Sequence, residues 1–193
     1  MNFPAITLPI PDWLSAFLPS PEQIFDTPES RMALVIDLAS HNIRQGTGGP
    51  FGAAVFDLDS GRLIAPGVNL VTATCCSVAH AELVALMMAQ RLVGNFSLSA
   101  AGCNAELTSS TEPCAMCLGA LPWAGLRQLS CGARDSDARA VGFDEGDKPP
   151  HWHRLLEKRG IRVLRDICRS QAVAVLDQYR LQGGEIYNGR PEC

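Results

Sequence analysis

The spacing of apolar residues predicts helices and short strands that alternate along the chain. Met32, Val35 and Ile36 recur at helical spacing and predict a first helix, expected to begin near Thr27 and to end at Gly46. The further elements predicted in the same way are strands at 52–58 and 63–68, a helix at 79–93, a strand at 105–108, a helix at 114–123, a strand at 126–131, a loop at 135–150, a helix at 151–158, a strand at 161–164 and a last helix around 172–179. Strands that alternate with helices indicate an α/β sandwich, with helices on both faces of one sheet.

The length of 193 residues is that of one domain with extensions. Residues 1–26 are rich in proline and aromatic side chains, and we expect them to form an arm that packs on the domain or on a partner subunit. The domain itself is expected to span 27–182. Residues 183–193 are glycine-rich and polar, which predicts a C-terminal tail.

The charge balance argues against a nucleic-acid substrate and for a small molecule. The formal net charge is −4 and the pI is about 5.5, and no run of Lys and Arg could neutralise phosphates. The first residues lack the cationic segment of a signal peptide, and no apolar run reaches the length needed to span a membrane. We therefore expect a cytoplasmic protein. The eight cysteines of such a chain are then metal ligands or buried thiols rather than a disulfide framework.

Two short motifs carry the candidate chemistry, His80-Ala81-Glu82 and Glu112-Pro113-Cys114-Ala115-Met116-Cys117. Each is expected to open a helix. Cys114 and Cys117 are three residues apart, so both sulfurs point the same way in the first helical turn. With the imidazole of His80 they provide three protein ligands and leave a fourth position open, which is typical of a catalytic zinc site. Zinc there would lower the pKa of a bound water towards neutrality, so that hydroxide would be the nucleophile.

Glu82 lies two residues after His80, where its carboxylate could carry protons between the water, the substrate and the departing amine. The combination of H-x-E with P-C-x-x-C is the signature of zinc nucleobase deaminases. Both motifs occur here in the expected order, about thirty residues apart and each after a strand. We interpret the chain as a zinc-dependent hydrolytic deaminase of a nitrogen heterocycle.

The sequence resembles the cytidine deaminase-like superfamily and, within it, the bacterial guanine deaminases. The resemblance runs from Gly49 to about Glu145, roughly half of the chain. It rests on G-G-P-F-G-A-A-V at 48–55, on Asn69 after the second strand, on E-P-C-A-M-C-L-G-A followed by Trp123, and on A-V-G-F-D-E at 140–145. The last segment is similar to an A-G-F-D-D segment that separates guanine deaminases from tRNA adenosine deaminases.

The resemblance implies a three-layer α/β/α sandwich with a mixed five-stranded sheet, and deamination of guanine to xanthine and ammonia. It implies that Glu82 and Glu145 are catalytic, and that zinc is bound by His80, Cys114 and Cys117. The residues it implies for the purine pocket are Phe51, Asn69, Ala81, Trp123, Phe143 and Tyr187. Glu145 stands where the family has a second Asp, and its additional methylene would resize the pocket. The implied assembly is a homodimer in which the tail, with Tyr187, crosses to cover the neighbouring active site.

Other functions stay open at this point. The substrate could be adenosine in tRNA, a cytosine nucleoside or a guanine-like heterocycle such as an aminotriazine. The acidic balance and the segment at 140–145 argue against tRNA. A zinc-stabilised module without catalytic activity is a further alternative, but such a module has no need for the Glu82 carboxylate.

Overall fold

A mixed five-stranded sheet organises the fold in the computed structural model, which describes residue 5 and residues 7–189. The strands are β1 Gly52–Asp57, β2 Arg62–Val68, β3 Ala105–Thr111, β4 Gln128–Ala133 and β5 Arg162–Leu164. Their order across the sheet is β2-β1-β3-β4-β5. β1 runs antiparallel to both β2 and β3, whereas β3, β4 and β5 are parallel to one another. Helical segments join the parallel strands, as parallel pairing requires.

Helices cover both faces of the sheet. They are α1 Asp12–Phe17, α2 Pro28–Arg44, α3 Val71–Thr74, α4 Ala81–Val93, α5 Ala115–Ala120, α6 Asp135–Ala140, α7 Trp152–Glu157 and α8 Arg169–Leu181. A short 3₁₀ helix, Leu121–Trp123, continues α5. The predicted three-layer α/β/α sandwich is therefore confirmed.

The first face of the sheet packs against α4, α5 and α7, and buries Val55, Leu107 and Leu129 with residues of these helices. Close packing here requires a glycine in β2, because a Cβ on Gly67 would overlap the carbonyl oxygen of Ala81 at the start of α4. This contact fixes the beginning of α4 against the sheet. The two residues flanking Ala81, which belong to the H-x-E motif, are fixed with it.

The second face packs against α2, α6 and α8, in a core that includes Met32, Phe56 and Leu176. α2 begins as the sequence predicts. The hydroxyl of Thr27 accepts a hydrogen bond from the Ser30 amide, and the Ser30 hydroxyl accepts one from the Thr27 amide. These bonds satisfy two amides that the helical ladder leaves unpaired, which explains why the helix starts there.

The described part of the N-terminal segment contacts the rest of the chain through α1. α1 buries Leu14 in a small cluster with Leu38 of α2 and Val68 of β2. Residues 1–4 and 6 of the predicted arm, and residues 190–193 of the predicted tail, lie outside the described residues. Among the described helices, none combines the length and apolarity needed to cross a membrane.

The structure corrects the sequence prediction at three short helices. α1 and α3 were not predicted, and α6 lies in the segment 135–150 that the sequence predicts as a loop. Arg134 stands at the N-cap of α6, and arginine is not among the residues that favour this position. The helix is held by tertiary ion pairs, since Asp137 in its first turn binds Arg169 of α8. The local pattern of apolar and polar residues at 135–150 cannot indicate this contact, because Arg169 lies in a distant part of the sequence.

Candidate active site and metal centre

The three expected zinc ligands meet at the starts of two helices. His80 is the extended residue before α4, and Cys114 is the extended residue before α5. Cys117 follows one turn into α5, so its sulfur lies beside that of Cys114. The Nδ1 atom of His80 lies 3.5 Å from Cys114 Sγ and 3.7 Å from Cys117 Sγ. All three ligand atoms lie within 4.8 Å of one another.

The spacing of these atoms fits a zinc ion. Tetrahedral zinc with bonds of about 2.3 Å to sulfur and about 2.0 Å to nitrogen places the two kinds of ligand about 3.5 Å apart. The observed separations of 3.5 and 3.7 Å agree with this geometry. Within the described residues, no other group of three or more His, Cys, Asp or Glu has metal-ligand spacing. One nitrogen and two sulfurs leave a fourth tetrahedral position free.

The electrostatics of the two thiols also fit a cation. The hydrogen bond with Cys117, opposed by burial and aided by His80, lowers the pKa of Cys114 to about 4. The hydrogen bond with Cys114, burial and the negative charge of Glu82 raise the pKa of Cys117. Two buried thiolates side by side repel each other, and a divalent cation supplies the positive charge that stabilises both.

Glu82 lies on the first turn of α4, two residues beyond His80. Only 6% of its surface is exposed, yet it lines the cavity described below. Burial and the nearby charge of Cys114 raise the pKa of its carboxyl, while His80 opposes that rise. A carboxyl group in this position can hold a proton next to the metal centre and release it again.

A cavity of about 700 Å³ opens over the metal ligands. Its walls include the aromatic residues Phe51, Phe143 and Tyr187. The ring of Phe143 meets that of Phe51 at 4.8 Å and that of Tyr187 at 5.3 Å between centroids. Tyr187 reaches the cavity of its own chain, where its hydroxyl lies against Gly49, which has no side chain to exclude it. A cavity of this volume with aromatic walls can accept a planar heterocycle.

Asn69 follows β2 and also lines the cavity, with only 1% of its surface exposed. Its side-chain oxygen accepts a hydrogen bond of 3.2 Å from the amide of Val71. This bond sets the orientation of the carboxamide. Its Nδ2 atom has no hydrogen-bond partner among the described residues and is free to donate to a ligand.

Glu145 comes to the cavity on the loop after α6, and is 5% exposed. Its backbone carbonyl accepts a hydrogen bond of 2.9 Å from the amide of Ala115, which ties this loop to the first turn of α5. Burial raises the pKa of the Glu145 carboxyl to about 8, and the charge of Lys148 opposes the rise. The backbone of Glu145 is thus tied to the start of α5, which follows Cys114 and contains Cys117.

Two residues expected in the pocket lie elsewhere. Ala81 is fully buried in the core between α4 and the sheet, and is not among the residues that line the cavity. Trp123 is 80% exposed and lines a separate, smaller depression of about 310 Å³ beside α5. Trp123 is the last residue of the 3₁₀ helix that follows α5.

Sequence reasoning missed several residues that the fold brings to the site. Thr111 and Glu112, at the end of β3, line the cavity, as do Cys75 and Cys76 after α3. The hydroxyl of Thr111 is buried without a hydrogen-bond partner in the described part of the chain. Glu112 lies inside the E-P-C motif, so the motif itself was a signal for it. The other three carry no local signal, because only the crossing of separate elements places them here.

Glu112 braces the turn that leads to the metal ligands. One carboxylate oxygen accepts a hydrogen bond of 2.6 Å from Arg165, and the other accepts one of 3.1 Å from the amide of Asp135. The side chain is 4% exposed, so both contacts are shielded from solvent on the Glu112 side. The two bonds join the end of β3 to the start of α6 and to the segment after β5.

The fold and its donor set together define the class of zinc-dependent hydrolytic deaminases. The chain belongs to the cytidine and deoxycytidylate deaminase family, because the model of that family's zinc-binding region matches residues 26–133 of its 193 residues. This match contains His80, Glu82, Cys114 and Cys117. The resemblance found in the sequence and the zinc cofactor are thereby confirmed.

Known relatives include guanine deaminases. The chain is similar to the structure of a guanine deaminase from Nitrosomonas europaea, with 44% identity and a TM-score of 0.87 over 92% of this chain and 97% of that one. It is 36% identical over 127 residues to guanine deaminase of Bacillus subtilis (strain 168), covering 63% of this chain and 78% of the relative. It is 34% identical over 139 residues to a tRNA-specific adenosine deaminase of Haemophilus influenzae, covering 71% and 76%.

Proposed function

We propose that this protein is a guanine deaminase, which hydrolyses guanine to xanthine and ammonia. The observation that carries the proposal is a single cavity that combines a zinc-ligand set, a buried glutamate and polar groups suited to a purine. Two of the relatives named above are guanine deaminases, one of them similar over nearly the whole chain.

His80, Cys114 and Cys117 would hold the zinc ion. When bound, zinc supplies a Lewis acid that makes a water molecule nucleophilic at neutral pH. Glu82 would accept a proton from that water as its oxygen adds to the amino-bearing ring carbon of guanine. Glu82 would then give this proton to the adjacent ring nitrogen. It would next take the remaining proton from the added hydroxyl and pass it to the amine, so that the C–N bond breaks, the new carbonyl of xanthine forms and ammonia departs. Its burial beside the metal centre excludes bulk water from competing for these protons.

Asn69 and Glu145 would orient the base. Guanine offers acceptors at its carbonyl oxygen and ring nitrogens, and donors at its N1–H and its exocyclic amine. The free Nδ2 of Asn69 suits an acceptor, and the carboxyl of Glu145, in its ionised form, suits a donor. A matched pair of this kind discriminates against bases that lack the groups, because one buried polar group would then be left unpaired.

The aromatic residues would enclose the ring of the base. Phe51, Phe143 and Tyr187 line one part of the cavity and contact one another in a chain of edge-to-face and tilted rings. Ala81 and Trp123 stay proposed substrate residues. Ala81 would act indirectly, through residues that line the cavity, and Trp123 would act across a contact with a partner subunit. Within a single chain neither lines the cavity.

The experiment that tests the function is an ammonia-release assay of the zinc-loaded protein with six substrates in parallel. These are guanine, guanosine, adenine, adenosine, cytosine and cytidine. We expect turnover of guanine and at least about a hundredfold lower kcat/KM for the others, because each leaves a buried donor or acceptor unpaired or does not fit. Equal or greater turnover of another base would overturn the assignment to guanine while leaving the zinc chemistry in place.

Adenosine in tRNA is the second candidate, and the similarity to a tRNA-specific adenosine deaminase supports it. Its test is a gel shift with tRNA at increasing salt, since phosphate contacts weaken steeply with ionic strength. The net charge of −4 leads us to expect no shift. An aminotriazine in the ammonia-release assay tests the remaining heterocycle alternative.

We infer a homodimer as the working assembly. Large apolar side chains are exposed around α5, with Trp123 at 80%, Met116 at 37% and Leu155 at 46%. Exposed apolar side chains of this size that cluster beside an active site are typical of an interface. Replacing Trp123 with Glu should shift the protein to a monomer in size-exclusion chromatography with light scattering. Leu181, 77% exposed at the end of α8, is the matched control, and Leu181→Glu should leave the dimer intact.

Exchange of the tail between subunits stays a prediction. In one chain the tail brings Tyr187 to its own cavity, and residues 190–193 lie outside the described residues. The division into an arm at 1–26, a domain at 27–182 and a tail at 183–193 is likewise kept as a proposal.

We place the protein in the cytoplasm, in keeping with seven described cysteines that are all free thiols.

A further inference from the structure

A chain of hydrogen bonds connects the N-terminal arm to the loop that carries Asn69. The indole N–H of Trp13 donates to the hydroxyl of Thr47 at 3.1 Å, and that hydroxyl donates to Oδ1 of Asn42 at 2.7 Å. The Nδ2 group of Asn42 then donates to two backbone carbonyls, those of Gly49 and Asn69, each at 2.9 Å. Four side-chain hydrogen bonds thus lead from the surface of α1 to the wall of the cavity.

Every hydrogen-bonding group of the Asn42 carboxamide has a partner. It is 0% exposed, its two N–H groups face the two carbonyls, and its oxygen accepts from Thr47. The reversed orientation would set the amide oxygen against two carbonyl oxygens and leave both N–H groups unpaired at those carbonyls. Only one orientation of the Asn42 carboxamide is therefore compatible with the site. In this orientation its oxygen accepts the hydrogen bond from the Thr47 hydroxyl.

Asn69 is held tightly by these contacts. A Cβ on Gly48 would overlap the carbonyl of Asn69, so the two backbones are in close contact at that point. The amide of Asn69 donates to the carbonyl of Phe51 at 3.1 Å, and the Asn69 side-chain oxygen is taken by Val71. With the carbonyl fixed by Asn42, the backbone and one side of the carboxamide are both determined. What stays free is the Nδ2 group.

We propose that Asn42 is a positioning residue for Asn69, and that Trp13 of the N-terminal arm stabilises the position of Asn42 through its hydrogen bond to Thr47. This inference rests on the proposed function, in which Asn69 binds the base. Its consequence is that the arm contributes to substrate binding, although α1 itself does not line the cavity.

The arm offers a matched control within α1. The rings of Trp13 and Phe17 both pack on His41, each with a centroid distance of 4.6 Å. Trp13 additionally donates the hydrogen bond to Thr47, which Phe17 cannot do. Trp13→Phe therefore removes the hydrogen bond and keeps an aromatic ring, whereas Phe17→Leu weakens the packing and keeps the hydrogen bond.

The first measurement is the KM and kcat for guanine of Trp13→Phe, Thr47→Val and Phe17→Leu. We expect Trp13→Phe and Thr47→Val to raise KM about threefold to tenfold, as loss of one neutral hydrogen bond would, with kcat changed by less than about twofold. Phe17→Leu should lower the melting temperature and leave KM unchanged. An unchanged KM in both hydrogen-bond variants, or an equal rise in Phe17→Leu, would overturn the proposal.

The second measurement does not depend on turnover. In a ¹⁵N–¹H spectrum, the side-chain amide of Asn69 is assigned by its loss in Asn69→Ser. Trp13→Phe and Thr47→Val should move this resonance, and Phe17→Leu should not. If the enzyme failed to act on guanine, a moved resonance would still support the structural link, so that failure of the function and failure of the link are distinguished. An unmoved resonance in both variants would exclude the link.

Discussion

The ammonium group of Lys148 lies 4.0 Å from a carboxylate oxygen of Glu145, and the two side chains are only 7% and 6% exposed. The same ammonium donates to the carbonyl of Pro113 at 2.9 Å and pairs with Asp135 at 2.6 Å. One buried cation therefore joins the residue before Cys114, the first turn of α6 and the glutamate of the cavity.

Replacing Lys148 with Met should lower kcat/KM for guanine about tenfold or more at pH 7, since a charged hydrogen-bonding group is lost. The pKa of Glu145 is raised to about 8 by burial and is held down by Lys148. Without Lys148 this pKa rises further, so a higher pH is needed to ionise the carboxyl. The deficit should therefore shrink as pH rises, which a pH profile of kcat/KM measures.

Two variants control this experiment. Lys148→Arg keeps the charge and should retain most of the activity. Lys158→Met removes an exposed lysine at the end of α7 and should leave the profile unchanged. A pH profile of Lys148→Met that parallels that of the wild type would show that Lys148 does not act through Glu145.

Glu82→Gln should abolish turnover by a factor of about a thousand or more, because the amide cannot carry protons. The zinc content and the melting temperature should stay close to those of the wild type, since Glu82 is not one of the three ligands. Metal analysis by mass spectrometry measures the zinc content, and the ammonia-release assay measures the turnover. Glu185→Gln, an exposed acid at the rim of the same cavity, is the control and should keep its activity. Substantial turnover by Glu82→Gln would remove Glu82 from the mechanism.

Removing zinc with a chelator such as dipicolinate should abolish activity and lower the melting temperature, because a metal held by the three ligands would join the starts of α4 and α5. Adding zinc back should restore both properties. Cys117→Ser should show the same loss without chelator, and zinc should not rescue it to the wild-type level. Full activity of a metal-free sample, with residual zinc measured directly, would contradict a zinc-dependent reaction.

The ion pair between Asp137 and Arg169 should make stability depend on pH in the acid range. The hydrogen bond from Arg169, followed by that from the Arg134 amide and opposed by burial, lowers the pKa of Asp137 below its ordinary value of 3.8. Because the folded-state pKa is the lower one, the stabilisation is complete above about pH 4 and is lost as pH falls through the folded-state pKa.

Asp137→Asn should therefore lower the melting temperature by about 2 °C or more at pH 7 and by less at pH 3. Thermal unfolding at several pH values measures the difference. Asp177→Asn removes an acid from an exposed pair with Arg180 and is expected to change little at any pH. Equal effects of Asp137→Asn at pH 7 and pH 3 would rule out the ion pair as the source of stability.

The zinc ligands could be predicted from the sequence because the residues of each motif lie within one helical turn of one another, so their spacing along the chain fixes their relative positions. Cys114 and Cys117 are neighbours on any helix that begins between them, and His80 and Glu82 are fixed relative to each other in the same way. Trp123 shows the limit of this reasoning. It stands six residues after Cys117, beyond the turn that holds the two cysteines, and it is 80% exposed.

The alternation of strands and helices, the metal-ligand set and the glutamate proposed to carry protons could all be predicted from the sequence, because local periodicity and spacing encode them. The strand order, the place of α6 and the partners of Asn42 and Lys148 became visible only in the folded chain. Asn42 contacts Asn69 across 27 positions of the chain, and Lys148 contacts Pro113 across 35. Such contacts arise where separate elements cross, and the free energy that selects them comes from burial of the whole core rather than from any one segment.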